Sequence, residues 1–277
     1  MSNSPDVSGA SLSQLIDLTG RTAVVTGGAR GIGYAIADRL AEAGATVVLS
    51  DIDLDAVQQA ATEIANRRSA DVRAVQTDVS SSRAVDELAS IADAIGSGLC
   101  VWINNAGIYP ATPVAELGDE EWQRVTDVTL DGTFYGCRAA ARKMLARPDL
   151  RGRVIINLSS VAGIRGRRNL ASYVAAKHGV TGLVRGLALE LGDEGIRVLG
   201  IAPSVVDTPG MRTRREDADP DQAEYLKKLE EGIAAAIPLG RVGVPDDVAR
   251  VALYFASDLS EFVSGVVVPV DGGLSAA

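Results

Sequence analysis

The sequence predicts an α/β fold: a doubly wound, mostly parallel sheet of seven strands with helices on both faces. Two observations carry that expectation. Short apolar, β-branched runs alternate with amphipathic runs of helical period along the chain, and the glycines, carboxylates and hydroxyls that stand out cluster after the strand ends. Strands are expected over 22–26, 46–50, 72–76, 99–103, 153–158, 196–201 and 266–270, with helical runs such as 83–95 and 180–191 between them. Right-handed crossovers put those helices on the two faces, and such sheets take their ligands beyond the strand C-termini. The 277 residues, 47% of them hydrophobic, suit one large core, and neither an internal repeat nor an interdomain linker divides them. Residues 1–17 are therefore expected to form a flexible extension and residues 18–277 a single domain.

The first strand, Thr22-Ala23-Val24-Val25-Thr26, runs into Gly27-Gly28-Ala29-Arg30-Gly31-Ile32-Gly33 and then a helical pattern over 34–43. Glycines allow backbone angles and close approaches that a β-carbon forbids, and the free N–H groups opening the helix attract a pyrophosphate. The second strand, Thr46-Val47-Val48-Leu49-Ser50, ends in Asp51, about twenty residues beyond the turn. A carboxylate there accepts hydrogen bonds from adenosine ribose hydroxyls and repels a 2′-phosphate, which favours NAD over NADP. Arg30 acts in the opposite sense, because a guanidinium in the turn could assist a 2′-phosphate.

Further on, the apolar run Val154-Ile155-Ile156-Asn157-Leu158 would deliver the hydroxyl of Ser160 to the helix that carries Tyr173 and Lys177. Four-residue spacing puts the phenol and the ammonium on one helix face. A tyrosine titrates near ~10 in water, so acid/base work near neutrality needs roughly three units of depression, about 4 kcal/mol. The neighbouring cation has the right sign to supply it.

The formal net charge of −9 disfavours nucleic acid and anionic membrane surfaces as partners. No run approaches the ~20 apolar residues of a membrane span, and residues 1–14, polar and serine-rich, have no signal core, so a cytoplasmic protein is expected. Cys100 and Cys137 read as reduced core residues, and His178, the only histidine, as pointing away from Lys177. No metal-ligand cluster of usual spacing is present, so no metal is expected.

Taken together, these motifs resemble the short-chain dehydrogenase/reductase family over about 18–273. The family's Thr-Gly-x-x-x-Gly-x-Gly is found as Thr26, Gly27, Gly31 and Gly33; its Asn-Asn-Ala-Gly as Asn104, Asn105, Ala106 and Gly107; its serine and Tyr-x-x-x-Lys as Ser160, Tyr173 and Lys177. The resemblance implies a Rossmann-type domain and reversible hydride transfer between nicotinamide C4 and an alcohol or carbonyl carbon. Tyr173 would then exchange the substrate proton, Ser160 would bind the substrate oxygen, and Lys177 would lower the tyrosine pKa and hold the nicotinamide ribose. Cofactor contacts are implied for Gly27, Arg30, Gly31, Ile32, Gly33, Asp51, Asp78, Val79, Asn105, Ala106 and Gly107, besides Tyr173 and Lys177. Pro203-Ser204-Val205-Val206-Asp207-Thr208 resembles the family's Pro-Gly-x-x-x-Thr, with Ser204 in place of glycine, and adds Pro203, Val206 and Thr208.

Thr129 stands where the family has an asparagine whose carbonyl holds a water linked to the lysine, so it is named as a participant in the proton path, alongside the alternative of a packed helix residue. By the same resemblance a substrate lid is expected within 207–239 and a homotetramer is expected. Its interfaces would draw on helices 127–145 and 180–191 and on an apolar C-terminal edge strand. Tyr109 is placed to line a substrate pocket. Arg165, with Arg167 and Arg168, could meet an anionic substrate, although loop arginines are more often solvated. Three readings follow: an NAD-dependent alcohol dehydrogenase, which is favoured; an NADPH-dependent carbonyl or 3-oxoacyl thioester reductase; and a catalytically weak dinucleotide-binding scaffold.

Overall fold

The computed structural model describes residues 7–210, 232 and 234–276. Seven strands, β1 (Thr22–Thr26), β2 (Thr46–Asp51), β3 (Val72–Gln76), β4 (Leu99–Asn104), β5 (Val154–Leu158), β6 (Arg197–Pro203) and β7 (Val267–Val270), form one sheet in the order β3-β2-β1-β4-β5-β6-β7. Every neighbouring pair is parallel. All seven expected strands are present, and β7 lies at the edge as expected. The order reverses between β1 and β4, which opens the crevice where doubly wound sheets bind ligands.

Among the described residues the helices are α1 (Leu12–Ile16), α2 (Gly31–Glu42), α3 (Leu54–Arg68), α4 (Ser82–Asp93), α5 (Asp119–Thr126), α6 (Gly132–Leu145), α7 (Ala171–Gly192) and α8 (Pro245–Ala256). Their starts follow from local chemistry: Asp53 accepts the Ala56 N–H at 3.1 Å to cap α3, and Ser81 accepts the Ala84 N–H at 3.3 Å to cap α4. Alternation along each strand divides the core in two. Ala23, Val25, Leu49, Ile103 and Ile156 pack with Ile36 and Leu40 of α2 and Phe255 of α8, whereas Val24, Val48, Trp102 and Ile155 pack with Leu88 of α4 and Cys137 and Met144 of α6. A strand whose residues all face one hydrophobic layer or the other must read as a continuous apolar run, which is why these were visible in the sequence.

Three expectations call for further detail. The N-terminal extension contains a single turn, α1, closed by a capping box between Ser11 and Gln14, although none of its side chains is buried. The helix expected over 127–145 is interrupted: Asp127–Asp131 form a π-helical turn between α5 and α6. Gly132 follows at a point where any β-carbon would press on Val79 at 3.0 Å, so the helix leaves the π turn in contact with the segment after β3. The lid expected within 207–239 falls mostly outside the described residues.

Candidate active site

The turn between β1 and α2 folds back on itself. Gly27 and Gly31 have φ of 62° and 60°, and a β-carbon at Gly33 would overlap the Gly27 carbonyl oxygen. Arg30, at the N-cap of α2, makes no side-chain capping bond, which leaves the helix opening at Ile32 and Gly33 without a side-chain cap. Thr208 lies against Gly31, its methyl 3.4 Å from where a β-carbon would sit. Asp51 accepts the Ala29 N–H at 3.1 Å and the Asp53 N–H at 3.3 Å, so its carboxylate stands beside the turn. Arg30 pairs with Asp53 at 3.1 Å. This glycine cradle, open helix N-terminus and adjacent carboxylate fit a dinucleotide.

Asn105 holds the cradle from behind. Its side-chain amide donates to the Thr26 and Gly27 carbonyls at 3.0 and 2.9 Å, while the Thr26 hydroxyl accepts the Asn105 and Ala106 N–H groups at 3.1 and 3.3 Å. The side-chain amide of Asn105 is thus committed to the backbone of β1 and its turn. Asp78 is exposed and accepts from the Ser80 N–H and hydroxyl at 2.9 and 2.7 Å, whereas Val79 is buried.

Ser160, Tyr173 and Lys177 come together past the ends of β4 and β5. The Ser160 hydroxyl accepts the Ala162 N–H at 3.1 Å, capping the short turn Val161–Gly163, and lies near enough to the Tyr173 phenol to favour its ionised form. Lys177 lies 5.6 Å from the Tyr173 ring centroid and donates to the Leu158 carbonyl. Gly107 faces this cluster: a β-carbon there would sit 3.5 Å from the Thr129 hydroxyl and 3.7 Å from the Lys177 ammonium. The Tyr109 ring packs on Tyr173 with centroids 5.8 Å apart and remains half-exposed.

The expected depression of the Tyr173 pKa by Lys177 is not found in this arrangement. Loss of water pushes the phenol up to about 12, against the nearby Ser160 hydroxyl, and pushes the Lys177 ammonium down to about 8. Burial disfavours both charged forms, and the Lys177 ammonium is directed at a backbone carbonyl rather than at the phenol oxygen.

Thr129 is fully buried in the π turn. Its hydroxyl accepts the Ile108 N–H at 3.2 Å and its carbonyl accepts the Thr133 hydroxyl at 2.8 Å, so it stitches the loop after β4 to the helix. Pro203 ends β6 with its carbonyl 3.5 Å from the Ser160 hydroxyl, and Val206 is buried and bridges to Gly243. Arg165 donates to the Leu274 carbonyl at 3.0 Å, which places it at the C-terminal turn. Trp102 is core, and Trp122 is exposed on α5. Both cysteines are buried free thiols, and His178 is exposed with Nδ1 against the Val174 carbonyl at 2.9 Å. Among the described residues no histidine, cysteine and carboxylate cluster could hold a metal, and no helix is long and apolar enough to cross a membrane.

A dinucleotide cradle at the crossover of a parallel sheet, with a serine, a tyrosine and a lysine beside it, defines a nicotinamide-dependent oxidoreductase. The chain belongs to the short-chain dehydrogenase/reductase family. Residues 27–275 match the family model described as enoyl-(acyl carrier protein) reductase. The chain is 42% identical over 260 residues to 3β-hydroxysteroid dehydrogenase 1 of Eggerthella lenta, covering 94% of this chain and 95% of that protein. It is 36% identical over 258 residues to the 3-oxoacyl-(acyl-carrier-protein) reductase of Chlamydia trachomatis, covering 93% and 98%. The crystal structure of a proposed 2-deoxy-D-gluconate 3-dehydrogenase from Agrobacterium tumefaciens, with bound NADP, superposes with a TM-score of 0.83 at 33% identity, covering 95% of this chain and 99% of that one.

Proposed function

We propose that this protein is an NAD-dependent dehydrogenase acting reversibly on a secondary alcohol and its ketone, with Ser160, Tyr173 and Lys177 at the reacting centre. The observation that carries the reading is the gathering of Ser160, Tyr173 and Lys177 beside the loop after β4, with the Lys177 ammonium 5.6 Å from the Tyr173 ring centroid. Bound NAD supplies the hydride acceptor. The glycine turn at Gly27, Gly31, Ile32 and Gly33 would hold its pyrophosphate, Asp51 its adenosine ribose, and Lys177 its second ribose. Ser160 fixes the substrate oxygen by donating a hydrogen bond to it. Tyr173 then takes the hydroxyl proton during oxidation and returns it during reduction. The high phenol pKa suits the donor role as it stands; oxidation calls for added positive charge next to Tyr173, which a protonated Lys177 drawn toward the phenol would provide.

The preference for NAD rests on Asp51, whose carboxylate stands beside the turn where a 2′-phosphate would enter. Similarity to a 3-oxoacyl reductase and to an NADP-bound structure supports a second reading, an NADPH-dependent carbonyl reductase, in which Arg30 would exchange Asp53 for the phosphate. Separate titrations of NAD and NADP, followed by a turnover screen with a 3β-hydroxysteroid, a 3-hydroxyacyl thioester and a small cyclic alcohol, decide between them. Equal or tighter NADP binding overturns the NAD assignment. We place the enzyme in the cytoplasm as a homotetramer, a state supported by exposed Leu189 on α7 and Phe262 before the edge strand β7. Light scattering on a sizing column should give a mass near four chains.

A further inference from the structure

Behind the reacting centre lies a buried polar contact that the chemistry above does not use. The Ser159 and Thr181 hydroxyls are 2.9 Å apart, and both residues are buried. Ser159 also reaches the Lys177 carbonyl at 3.3 Å, and Thr181 reaches the Gly163 carbonyl at 3.2 Å. Three contacts share two hydroxyl protons: with Ser159 donating to Thr181 the chain ends on the Gly163 carbonyl and ties the turn to α7, and with Thr181 donating to Ser159 it ends on the Lys177 carbonyl and ties the strand end to α7.

Those segments are the ones that carry the reacting groups. Gly163 ends the turn whose first residue is capped by Ser160, and Lys177 lies one helical turn before Thr181 on α7. Ser159 itself is rooted in the sheet, since its N–H donates to the Ile201 carbonyl at 2.8 Å. The turn and α7 touch closely enough that a β-carbon at Gly163 would overlap the Ser159 hydroxyl and crowd the Lys177 carbonyl at 2.6 Å. Sheet, turn and helix therefore meet at a single point, immediately behind Ser160 and Lys177.

We propose that Ser159 and Thr181 are positioning residues: a buried hydroxyl clasp that fixes the distance between the Ser160 hydroxyl and the Tyr173 phenol. The proposal rests on the reading of Ser160, Tyr173 and Lys177 as the reacting groups. Its logic is geometric. Nothing else described here bonds the Gly163 carbonyl end of the turn to α7 at this level, and small misplacements of reacting groups cost large factors in rate. Loosening the clasp lets Ser160 drift from Tyr173, removing the one interaction that holds the phenol pKa down.

The test compares Thr181→Val, which deletes the hydroxyl, with Thr181→Ser, which restores it. For the most active alcohol of the panel above with NAD, Thr181→Val should lower kcat by about tenfold while NADH affinity stays within about twofold. The pH at which alcohol oxidation reaches half its maximum should move upward in Thr181→Val and return in Thr181→Ser. A general loss of stability would not produce that pattern. In parallel, NMR of carbon-labelled tyrosine, with the Tyr173 phenol signal identified by its absence in Tyr173→Phe, should show that signal displaced in Thr181→Val and restored in Thr181→Ser. If Thr181→Val does not fold, Ser159→Ala is read in the same way. Wild-type kcat and an unmoved Tyr173 signal in Thr181→Val, or equal damage in Thr181→Ser, overturn the clasp. A wild-type enzyme inactive on the whole panel overturns the proposed function instead, and the Tyr173 signal still decides the clasp.

Discussion

The two ends of the sheet use helix electrostatics in opposite ways. In a parallel α/β sheet the helices run back against the strands, so their negative C-terminal ends gather where the strands begin and their positive N-terminal ends where the strands finish. At the strand starts, arginines are built in to meet that negative end. Buried Arg153 donates to the Met144 carbonyl at 2.9 Å and the Arg147 carbonyl at 3.3 Å after α6, and to the Glu194 carbonyl after α7. Arg21 donates to the Ala256 carbonyl ending α8 at 3.0 Å and pairs with Asp258 at 2.6 Å. At the strand ends, α2 opens without a side-chain cap, and the nearby lysine is desolvated. One end holds its counter-charges permanently; at the other, α3 and α4 are capped by Asp53 and Ser81, while α2 alone of the three leaves its opening uncapped. The first arrangement serves stability, and the second costs stability for the sake of function.

Breaking this contrast at the functional end should give the largest effect. Tyr173→Phe should lower kcat roughly a thousandfold, about 4 kcal/mol, with cofactor affinity and melting temperature nearly unchanged, because only the acidic hydroxyl is lost. Retention of more than about a tenth of the activity would exclude Tyr173 as the acid/base. At the opposite end, Arg153→Met should cost about 3 kcal/mol in urea unfolding, since it strands carbonyls in the interior, yet leave kcat per folded molecule near wild type. An activity loss larger than the stability loss would show that the two ends are not separable.

Lys177 sharpens the comparison through pH. Its folded pKa of about 8 lies below the ordinary 10.5, so the unfolded chain binds the extra proton between those values and stability rises with pH across that window. The gain should be about 3 kcal/mol in the wild type and absent in Lys177→Met, as read from unfolding curves at stepped pH. Tyr173 acts in the reverse sense, its raised pKa making stability fall as pH climbs from 10 toward 12. Smallest is the cofactor term. Wild type should bind NAD at least about tenfold more tightly than NADP, about 1.4 kcal/mol, and Asp51→Ala should narrow that gap.

Most of the sheet was legible because fully buried parallel strands announce themselves as short apolar runs, and the cradle because Gly27 to Gly33 follow such a run directly. What escaped depends on neighbours distant in sequence. The Asn105 latch exists only because β1 and β4 are adjacent, and the upward shift of Tyr173 needs the burial that packing provides. The π turn at Asp127–Asp131 carries no periodic signature of its own, whereas the α1 turn had a readable signal in Ser11 and Gln14, a capping-box pair. Arg153 heads the strand expected over 153–158, and only the packing of α6 and α7 brings three carbonyls to it.

The edge strand β7 contains Pro269, and its orientation limits how copies of this chain can meet. The Val266 and Val270 carbonyls accept from the Gly200 and Ser204 N–H groups of β6 and the residue after it, at 2.9 and 3.2 Å. By strand alternation residues 267 and 269 turn their backbone groups outward. Proline therefore removes a donor from the open side and leaves the inner ladder intact. A further strand laid along that side would find an acceptor with no donor midway, so the sheet resists growing by strand addition. Any copy approaching this edge would have to meet it through side chains, exposed Phe262 among them, rather than by continuing the backbone ladder.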